Sequence, residues 1–257
     1  MLMDAHCHLD VFAERGTLAD VLAEARRNSV TAYVATGTNP EDWVLYQNLA
    51  QTHGDIFYTL GLHPLNVGPN YVADLEVLEK MITAQKPVAV GEIGLDFHRI
   101  PEESPQGQRQ KAAFEAQLQI ARAVDLPVVI HCRDAFSAVY STLKRTQFDG
   151  EKVLFHCFTG GLEETQILKE WGSYASFSGI VTYKNAEKVR QALAHFERIL
   201  IETDCPFLAP IPHRGKENQP AFLRCTAEAI APMRGQSTTK IASQTWTNTR
   251  RFFGLTL

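Results

Sequence analysis

The chain has 257 residues, of which 45% are hydrophobic and 21% are charged. This ordinary globular composition supports a sizeable core and excludes wholesale disorder. Its 25 Lys and Arg residues against 29 Asp and Glu residues give a formal net charge of −4, which argues against a broad basic face for nucleic acid. A phosphate-bearing substrate would therefore be held locally, by metal ions and a few basic side chains.

Short apolar runs alternate with amphipathic helical stretches along the chain. Eight runs predict β-strands, in chain order Met3–His6, Thr31–Thr36, Ile56–Leu60, Val88–Glu92, Val128–His131, Val153–His156, Tyr174–Ser178 and Ile199–Glu202. Helical patterns lie between them, among them Leu18–Arg27, Trp43–Gln51, Leu75–Gln85, Gln108–Val124 and Leu162–Trp171. Thr238–Phe253 predicts a closing C-terminal helix with Gly254 as its cap.

This alternation favours a parallel α/β sheet closed into a (β/α)8 TIM barrel, with one domain over residues 1–257. An open doubly wound sheet is the alternative. No glycine fingerprint follows the first predicted strand to support it.

Features that mark export or membrane insertion are missing from the sequence. No apolar run approaches the roughly 20 residues that a membrane span needs. The N-terminal segment lacks a basic stretch followed by an apolar one, and five cysteines, an odd number, argue against a disulfide framework. We therefore expect no membrane partner and a cytoplasmic location.

Polar side chains stand at the C-terminal ends of the predicted strands, where barrels of this type place their active sites. In chain order these are His6, His8, His63, Glu92, His131, His156 and Asp204. Imidazoles and carboxylates together are the usual ligands of zinc or manganese. The alternative, a hydrogen-bonded histidine at the edge of the core, would have to apply at every one of these strand ends. The pattern therefore indicates a divalent-metal site.

Four cysteines, Cys7, Cys132, Cys157 and Cys205, adjoin these candidate residues in the sequence. Neighbouring side chains on a strand point to opposite faces, and the paired spacing of thiolate metal sites is missing. We interpret the four as small buried fillers, not ligands.

Basic residues just beyond the strand ends are candidates for binding substrate phosphate. The segment 212–218, PHRGKEN, follows the last predicted strand, where barrels often bind phosphate. A solvated basic turn is the alternative interpretation. Arg133 and Arg99 can either reach a phosphate or pair with a rim carboxylate such as Asp134 or Asp96.

The motifs around these residues resemble those of the TatD family of metal-dependent deoxyribonucleases, within the amidohydrolase-type barrels. The resemblance runs over essentially the whole chain. It is carried by DAHCHL at 4–9, GLHP at 61–64, GEIGLD at 91–96, IHCRDA at 130–135, HCFTGG at 156–161, FSGIVT at 177–182, ETDCPFLAP at 202–210, residues 212–220 and NTRR at 248–251. His98 stands where relatives often carry Tyr, which leaves substrate preference open.

The resemblance implies a site for two divalent ions, Mg²⁺, Mn²⁺ or Zn²⁺. One ion would be held by His6, His8 and Asp204, and the other by His131 and His156, with Glu92 bridging the two. It also implies a nucleic acid substrate, hydrolysed by a 3′-to-5′ exonuclease activity on single-stranded DNA and, in some members, on RNA.

The residue roles follow from the chemistry of such a site, in which two ions activate a water and clamp the phosphodiester. Asp204 both binds an ion and accepts the proton of the attacking water, and His63 contacts the scissile phosphate because it is not needed as a ligand. The remaining expected contacts to substrate phosphates come from Arg133, His213, Arg214 and Lys216.

Three alternatives remain open at this point. A small-molecule amidohydrolase or phosphotriesterase shares the barrel, but such enzymes commonly carry a modified Lys where this chain has Glu92. A nuclease-like subunit active only within a larger complex, for example an antiviral one, would show the same motifs. A metal-free sugar-binding barrel is the third alternative.

Overall fold

The eight strands of the computed structural model, which describes residues 1–256, form one parallel sheet whose order follows the sequence. The strands are β1 (Leu2–Cys7), β2 (Val30–Thr36), β3 (Ile56–Leu60), β4 (Ala89–Asp96), β5 (Val128–Arg133), β6 (Val153–Phe155), β7 (Tyr174–Phe177) and β8 (Ile199–Ile201). Each strand pairs with the next one in parallel.

Helices alternate with these strands and cover the outside of the sheet. They are α1 (Asp10–Glu14), α2 (Leu18–Arg27), α3 (Pro40–Thr52), α4 (Tyr71–Ala84), α5 (Pro105–Ala123), α6 (Phe136–Arg145), α7 (Leu162–Trp171), α8 (Glu187–His195), α9 (Leu223–Met233) and α10 (Thr238–Phe253). Over residues 1–256, no helix is long and apolar enough to cross a membrane.

Main-chain hydrogen bonds just past the strand ends close the seam between the last strand and the first. The Asp204 amide donates to the His6 carbonyl at 3.0 Å, and the His8 amide donates to the Cys205 carbonyl at 2.8 Å. The seam therefore joins the segments that carry three of the candidate ligands.

The predicted TIM barrel with a C-terminal helix is confirmed. Strand β3 and helices α2, α7 and α10 have the predicted bounds, and Gly254 caps α10 in the left-handed conformation. The main difference is β4, which continues past Glu92 because its pairing with β5 runs on to Asp96 and Arg133. Strands β6 and β8 end one residue before the predicted ends at His156 and Glu202.

The barrel interior is apolar toward the N-terminal ends of the strands. One cluster of buried side chains combines inward-facing residues from seven of the strands with the end of α10, namely Met3, Ala5, Ala32, Val34, Ala89, Val129, Leu154, Tyr174, Leu200, Phe252, Phe253 and Leu255. Alternate strand residues pack outward against the helices in a larger cluster. The closing helix therefore plugs the end of the barrel opposite the candidate site.

Candidate metal centre and active site

A cavity of about 450 Å³ opens at the C-terminal ends of the strands. The candidate residues that line it are His8, His63, Glu92, His131, Arg133, His156 and Asp204. His6 is fully buried. The structure thus brings together all seven strand-end residues named from the sequence. The ligand roles of six of them, and the phosphate contact of His63, remain predictions.

Two strand irregularities lie at the candidate ligands His6 and Glu92. The β1–β2 register shifts between Asp4 and Cys7, the segment that holds His6. The β4–β5 register shifts between Val90 and Ile93, the segment that holds Glu92. Irregularities of this kind redirect side chains and recur beside active sites.

Glycines around Glu92 let β4 approach β5 closely. A Cβ atom at Gly91 would lie 2.6 Å from the Val129 Cβ, and one at Gly94 would lie 2.0 Å from the His131 carbonyl oxygen. Gly94 also has a φ of +143°, which L side chains rarely adopt. The absence of a side chain at Gly91 and Gly94 therefore allows the close contact between β4 and β5 that brings Glu92 next to His131.

The first group of candidate ligands faces one oxygen of Glu92. Glu92 Oε2 lies 3.4 Å from His6 Nε2 and 4.0 Å from His8 Nε2. Asp204 Oδ1 lies 3.7 Å and 3.3 Å from the same two nitrogens, respectively. The two nitrogens are 3.4 Å apart. His6, His8 and Glu92 form a candidate three-ligand group, and Asp204 lies beside the two nitrogens of that group.

The second group faces the other oxygen of the same carboxylate. Glu92 Oε1 lies 2.7 Å from His131 Nδ1 and 2.7 Å from His156 Nε2. His63 Nε2 stands at 3.4 Å from Oε1 and 3.2 Å from His131 Nδ1. Glu92 therefore lies between two sets of imidazoles, one set to each oxygen.

Hydrogen bonds behind His8 and His131 orient these two rings toward the cavity. His8 Nδ1 lies 3.2 Å from the Thr36 carbonyl, and a carbonyl only accepts. The proton of a neutral His8 ring therefore sits on Nδ1, and Nε2 offers a lone pair to the site. His131 lies between two carboxylates, with Asp96 Oδ2 at 3.1 Å from Nε2 and Glu92 Oε1 at 2.7 Å from Nδ1. If an ion were bound at Nδ1, Asp96 would accept the remaining ring proton at Nε2.

Glu202 lies next to His156 Nδ1, the ring nitrogen that does not face Glu92. Its Oε1 lies 3.4 Å from His156 Nδ1, a contact that lacks the alignment of a full hydrogen bond. Its other oxygen accepts from the Ser176 hydroxyl. Glu202 is fully buried, so its position is set by the fold.

The neutral ring of His63 has the opposite arrangement to that of His8. The Leu65 amide donates to His63 Nδ1 at 3.1 Å, which places the proton of the neutral ring on Nε2, the atom that faces Glu92. Burial lowers the pKa of His63, which favours that neutral form. His63 is near enough to Glu92 and His131 to form a three-ligand group with them, but this tautomer makes it a donor.

The charges of the cluster are strongly coupled. Burial opposes ionisation of Glu92, yet His156 and the other surrounding imidazoles hold the pKa of Glu92 well below its usual value. Burial likewise opposes the charged form of His8, but its hydrogen bond to Asp204 raises the pKa of His8 to about 9. Burial lowers the pKa of His6.

The donor set fits divalent cations. Within residues 1–256, every ion-pair partner of Glu92, Asp204, Asp96 and Glu202 is a histidine, with no Lys or Arg among them. Two donors bonded to one ion at about 2.0–2.2 Å must stand roughly 3–4 Å apart, as the atoms around Glu92 Oε2 do. The 2.7 Å contacts of Oε1 are hydrogen-bond distances and would lengthen around an ion.

A buried aspartate ties the first strand to the last beneath this cluster. The Asp4 carboxylate accepts from the Thr203 amide at 2.9 Å, from the Thr203 hydroxyl and from the His6 amide at 3.4 Å. Burial raises the pKa of Asp4 to about 7. Because Thr203 precedes Asp204, Asp4 positions that ligand through the backbone.

Arg133 lies exposed at the cavity rim. The expected alternative was an ion pair with a rim carboxylate, and within the described residues neither Arg133 nor Arg99 forms one. Asp134 instead contacts His98, at 2.8 Å between Oδ2 and Nδ1. Arg133 therefore remains available to a bound anion.

The basic loop after β8 lies outside the lining of this cavity. His213 stacks on Phe222 with the ring centroids 3.7 Å apart. The Arg214 guanidinium lies 4.3 Å from the ring centroid of Tyr183, and Lys216 is exposed. Any contact of these three side chains with substrate is therefore to a part outside the cavity.

The cysteines next to the candidate ligands form no disulfide in the described part of the chain. Cys7 and Cys205 are buried, and Cys132 and Cys157 are partly buried. None of them belongs to a candidate metal group within residues 1–256. These positions agree with the interpretation as fillers.

Three carboxylates of the site were not identified from the sequence as supporting groups: Asp4, Asp96 and Glu202. Each lies within four residues of a candidate ligand in a motif that was quoted. The signal that could have found them is the acidic residue on a strand that is otherwise apolar, because a buried carboxylate needs a partner.

A (β/α)8 barrel that gathers imidazoles around a shared carboxylate at its mouth defines the class of metal-dependent hydrolases. The comparisons with known proteins agree with that class and narrow it. A family model described as TatD related DNase matches residues 3–254. The chain belongs to the TatD family of metal-dependent hydrolases.

Relatives with curated names cover nearly the whole chain. The uncharacterized metal-dependent hydrolase YcfH of Escherichia coli K12 is 37% identical over 257 residues, which cover 98% of this chain and 95% of YcfH. The 3′-5′ ssDNA/RNA exonuclease TatD of Klebsiella pneumoniae is 32% identical over 243 residues, 92% of this chain and 91% of that protein. The crystal structure of YjjV, a TatD homologue from Escherichia coli K12, superposes with a TM-score of 0.91 at 28% identity over 99% of this chain and 98% of YjjV.

Proposed function

We propose that the protein hydrolyses phosphodiester bonds in nucleic acid, as a 3′-to-5′ exonuclease that acts on single-stranded DNA and also on RNA. The observation that carries this proposal is the position of Glu92, whose two oxygens face different sets of imidazoles. A carboxylate between two groups of candidate ligands can serve a pair of divalent ions, which in two-metal sites stand about 3.5–4 Å apart.

In this proposal, one ion is held by His6, His8 and Asp204, the other by His131 and His156, and Glu92 serves both. When bound, Mg²⁺, Mn²⁺ or Zn²⁺ ions would lower the pKa of a water molecule and offset negative charge on the phosphodiester oxygens. Localised cationic charge of this kind allows a chain with a formal net charge of −4 to accept a polyanion.

Asp204 accepts the proton of the attacking water. Burial opposes its ionisation, but its hydrogen bond to His8 and the other nearby imidazoles lower the pKa of Asp204. The carboxylate is therefore ionised at neutral pH, as a general base must be.

His63 donates a hydrogen bond to the scissile phosphate. The Leu65 amide occupies His63 Nδ1 at 3.1 Å, which leaves the Nε2 proton directed at the centre of the cavity. A phosphate oxygen near Glu92 would accept that proton without competing for a ligand position.

Basic side chains hold the phosphates on either side. Arg133 lines the cavity and contacts a phosphate close to the scissile one. His213, Arg214 and Lys216 lie farther out and contact the strand beyond the cavity. The printed name of the Klebsiella pneumoniae relative, an exonuclease on single-stranded DNA and RNA, supports this substrate class.

The small-molecule alternative is weakened by the residue on β4. Amidohydrolase and phosphotriesterase sites commonly bridge their metals with a modified Lys at this strand, and here the bridging position is Glu92 on β4. A purified protein that cleaves nucleic acid alone would also exclude the proposal that a larger complex is needed.

The test uses single-stranded DNA, duplex DNA and RNA, labelled separately at each end. After chelation and dialysis, activity should be lost, and added Mg²⁺, Mn²⁺ or Zn²⁺ should restore it. Shortening from the 3′ end of single strands is the expected pattern. Full activity in metal-free protein would refute the metal-dependent site, and Glu92→Ala with unchanged metal content would refute the bridging role.

A further inference from the structure

One aromatic side chain at the mouth is left exposed to solvent. Phe207 has 59% of its surface exposed. Within residues 1–256, it is the only exposed Phe, Tyr or Trp side chain. Single exposed hydrophobic residues are ordinary on protein surfaces. Phe207 differs because it lines the same cavity as His8, Asp204 and Glu92.

The structure holds Phe207 in a fixed relation to the proposed ligands. Its ring stands edge-on to His8, with the centroids 6.1 Å apart and the planes at 70°. Its amide donates to the Asp204 carbonyl at 2.9 Å. The Phe207 carbonyl accepts a hydrogen bond from the side-chain amide of Asn218 at 2.6 Å. That Asn218 side chain also donates to the Thr203 carbonyl at 2.8 Å.

Asn218 is fully buried, so this brace is part of the folded interior. The Phe207 backbone is therefore ordered even though its ring is in solvent. An aromatic ring held in this way loses little conformational freedom when it contacts a flat ligand.

The position of the Phe207 ring determines which part of a bound nucleotide it can contact. In the proposed reaction, the scissile phosphate would lie among the imidazoles and carboxylates that line the cavity, and the attached nucleoside would project toward the rim. Phe207 and Leu65, which is 52% exposed, are the exposed apolar side chains that line this rim. A nucleobase fits such a surface, because each of the four bases has an apolar π-face.

We propose that Phe207 is a stacking platform for the unpaired base next to the scissile phosphate. The inference rests on the proposed phosphodiesterase function and deepens it. Stacking on one ring is tolerant of base identity, so the platform gives little sequence preference. It favours single strands, since a base inside a duplex is already paired and stacked and must be freed before it can reach the ring.

The first test compares a strand that carries its terminal bases with a strand that lacks them. Two single-stranded oligonucleotides differ only in the terminal nucleotides at both ends, which are natural in one and abasic in the other. Base–aromatic stacking predicts that Phe207→Ala lowers kcat/KM on the natural strand by about 5- to 150-fold. On the abasic strand, Phe207→Ala should match the wild-type protein, while Phe207→Trp should retain activity on the natural strand.

A matched control separates stacking from general loss of an apolar side chain. Ile211 lies four residues farther along the same loop, is 44% exposed and does not line the cavity. Ile211→Ala should leave both substrates unaffected. If Phe207→Ala lowers the rate equally on natural and abasic strands, or on neither, the stacking platform is refuted.

A binding measurement distinguishes failure of this inference from failure of the proposed reaction. A strand with terminal 2-aminopurine and phosphorothioate linkages should lose fluorescence on binding to the wild-type protein, and much less on binding to Phe207→Ala. If the wild-type protein quenches the fluorescence of this strand but cleaves no nucleic acid, the proposed hydrolysis is refuted and the stacking platform is supported. No quenching, or equal quenching by both proteins, would overturn the platform even if cleavage is found.

Discussion

The two ends of the barrel are built from the same strands but contain opposite kinds of side chain. At the N-terminal end, Met3, Ala5 and their neighbours pack against Phe252 and Phe253 of α10 in a closed apolar cluster. A residue or two farther along those strands, the interior changes to imidazoles and carboxylates around an open cavity. The first arrangement is stabilised by burial of apolar area, whereas the second gathers buried carboxylates that face imidazoles.

This contrast implies that stability and chemistry are largely separate properties of this barrel. Substitutions at the apolar end should change the free energy of unfolding and spare the reaction. Substitutions at the polar end should change the reaction, because that end carries the candidate ligands. The following predictions test that separation.

The largest expected effect is on the proposed general base at the polar end. Asp204→Asn keeps the shape and one coordinating oxygen but cannot accept a proton at neutral pH. General-base catalysis is worth roughly 10²–10⁴-fold, so turnover should fall by about that factor while substrate binding stays nearly normal. The measurement is steady-state kinetics at saturating metal.

Metal content of the same preparation is the control, because an empty site would mimic the loss. Wild-type turnover with metal content unchanged would mean that another group takes the proton. Loss of the metal would show that Asp204 acts chiefly as a ligand.

The opposite result is expected at the closed end. Phe252, on α10, is buried in the apolar cluster at the closed end of the barrel. Truncation of a buried Phe to Ala lowers the free energy of unfolding by about 3–5 kcal/mol. Phe252→Ala should lower the free energy of unfolding by that amount in urea titrations and leave turnover per folded molecule unchanged. Val44, which is 55% exposed, supplies the control, since Val44→Ala should change stability by less than about 0.5 kcal/mol. A large rate loss in Phe252→Ala would show that the two ends are coupled.

A smaller effect is expected from the group behind a ligand. Asp96 accepts from His131 Nε2 at 3.1 Å, and loss of such a partner typically costs about 10- to 100-fold in metal affinity or activity. Asp96→Ala should therefore raise the metal concentration needed for half-maximal activity by that factor. Asp134 is the matched control, because it contacts His98 outside the proposed ligand set. Equal losses in Asp96→Ala and Asp134→Ala would argue against this supporting role.

The sequence was sufficient for the barrel because strand and helix patterns alternate throughout, and α10 was predicted with its bounds and its Gly254 cap. The short helix α1 (Asp10–Glu14) and the helices α6, α8 and α9 were not among the patterns identified. Helix α1 has only five residues, too few for a periodic signal. The extension of β4 to Asp96 depends on pairing with β5, which is a tertiary effect.

Within the site, the candidate residues could be identified from the sequence, but not which of their atoms face one another. His6 and His8 are two residues apart, a spacing that places side chains on the same side of an extended segment, and their Nε2 atoms lie 3.4 Å apart. The proton position on His63 depends on the Leu65 amide, and the aim of Glu92 depends on the β4 irregularity. Neither has a local sequence signal, since each is set by backbone that the folded barrel positions.

The smallest expected effect concerns the basic loop beyond the polar end. Arg214→Ala combined with Lys216→Ala should weaken binding of single-stranded DNA and flatten its salt dependence. Each lost phosphate contact removes about 0.7 from the slope of log K against log salt on a single strand. The fold should be little affected, because a cation–π contact like that of Arg214 with Tyr183 is worth about 0.5–1 kcal/mol at exposed sites. Tm should therefore move by no more than about 2–4 °C.

The control for this variant removes the same charge at the other end of the barrel. Arg145 closes α6, and Lys152 precedes β6. Arg145 is exposed and Lys152 is partly exposed, and both are paired with acidic residues; surface pairs of this kind contribute little to stability. Arg145→Ala with Lys152→Ala should leave the salt slope near its wild-type value, because these side chains lie far from the mouth. If both double variants flatten the slope equally, net charge alone governs binding and the loop has no specific contact. If the loop variant melts much earlier with its slope unchanged, the loop is structural, and the phosphates must be held by Arg133 and the metal centre alone.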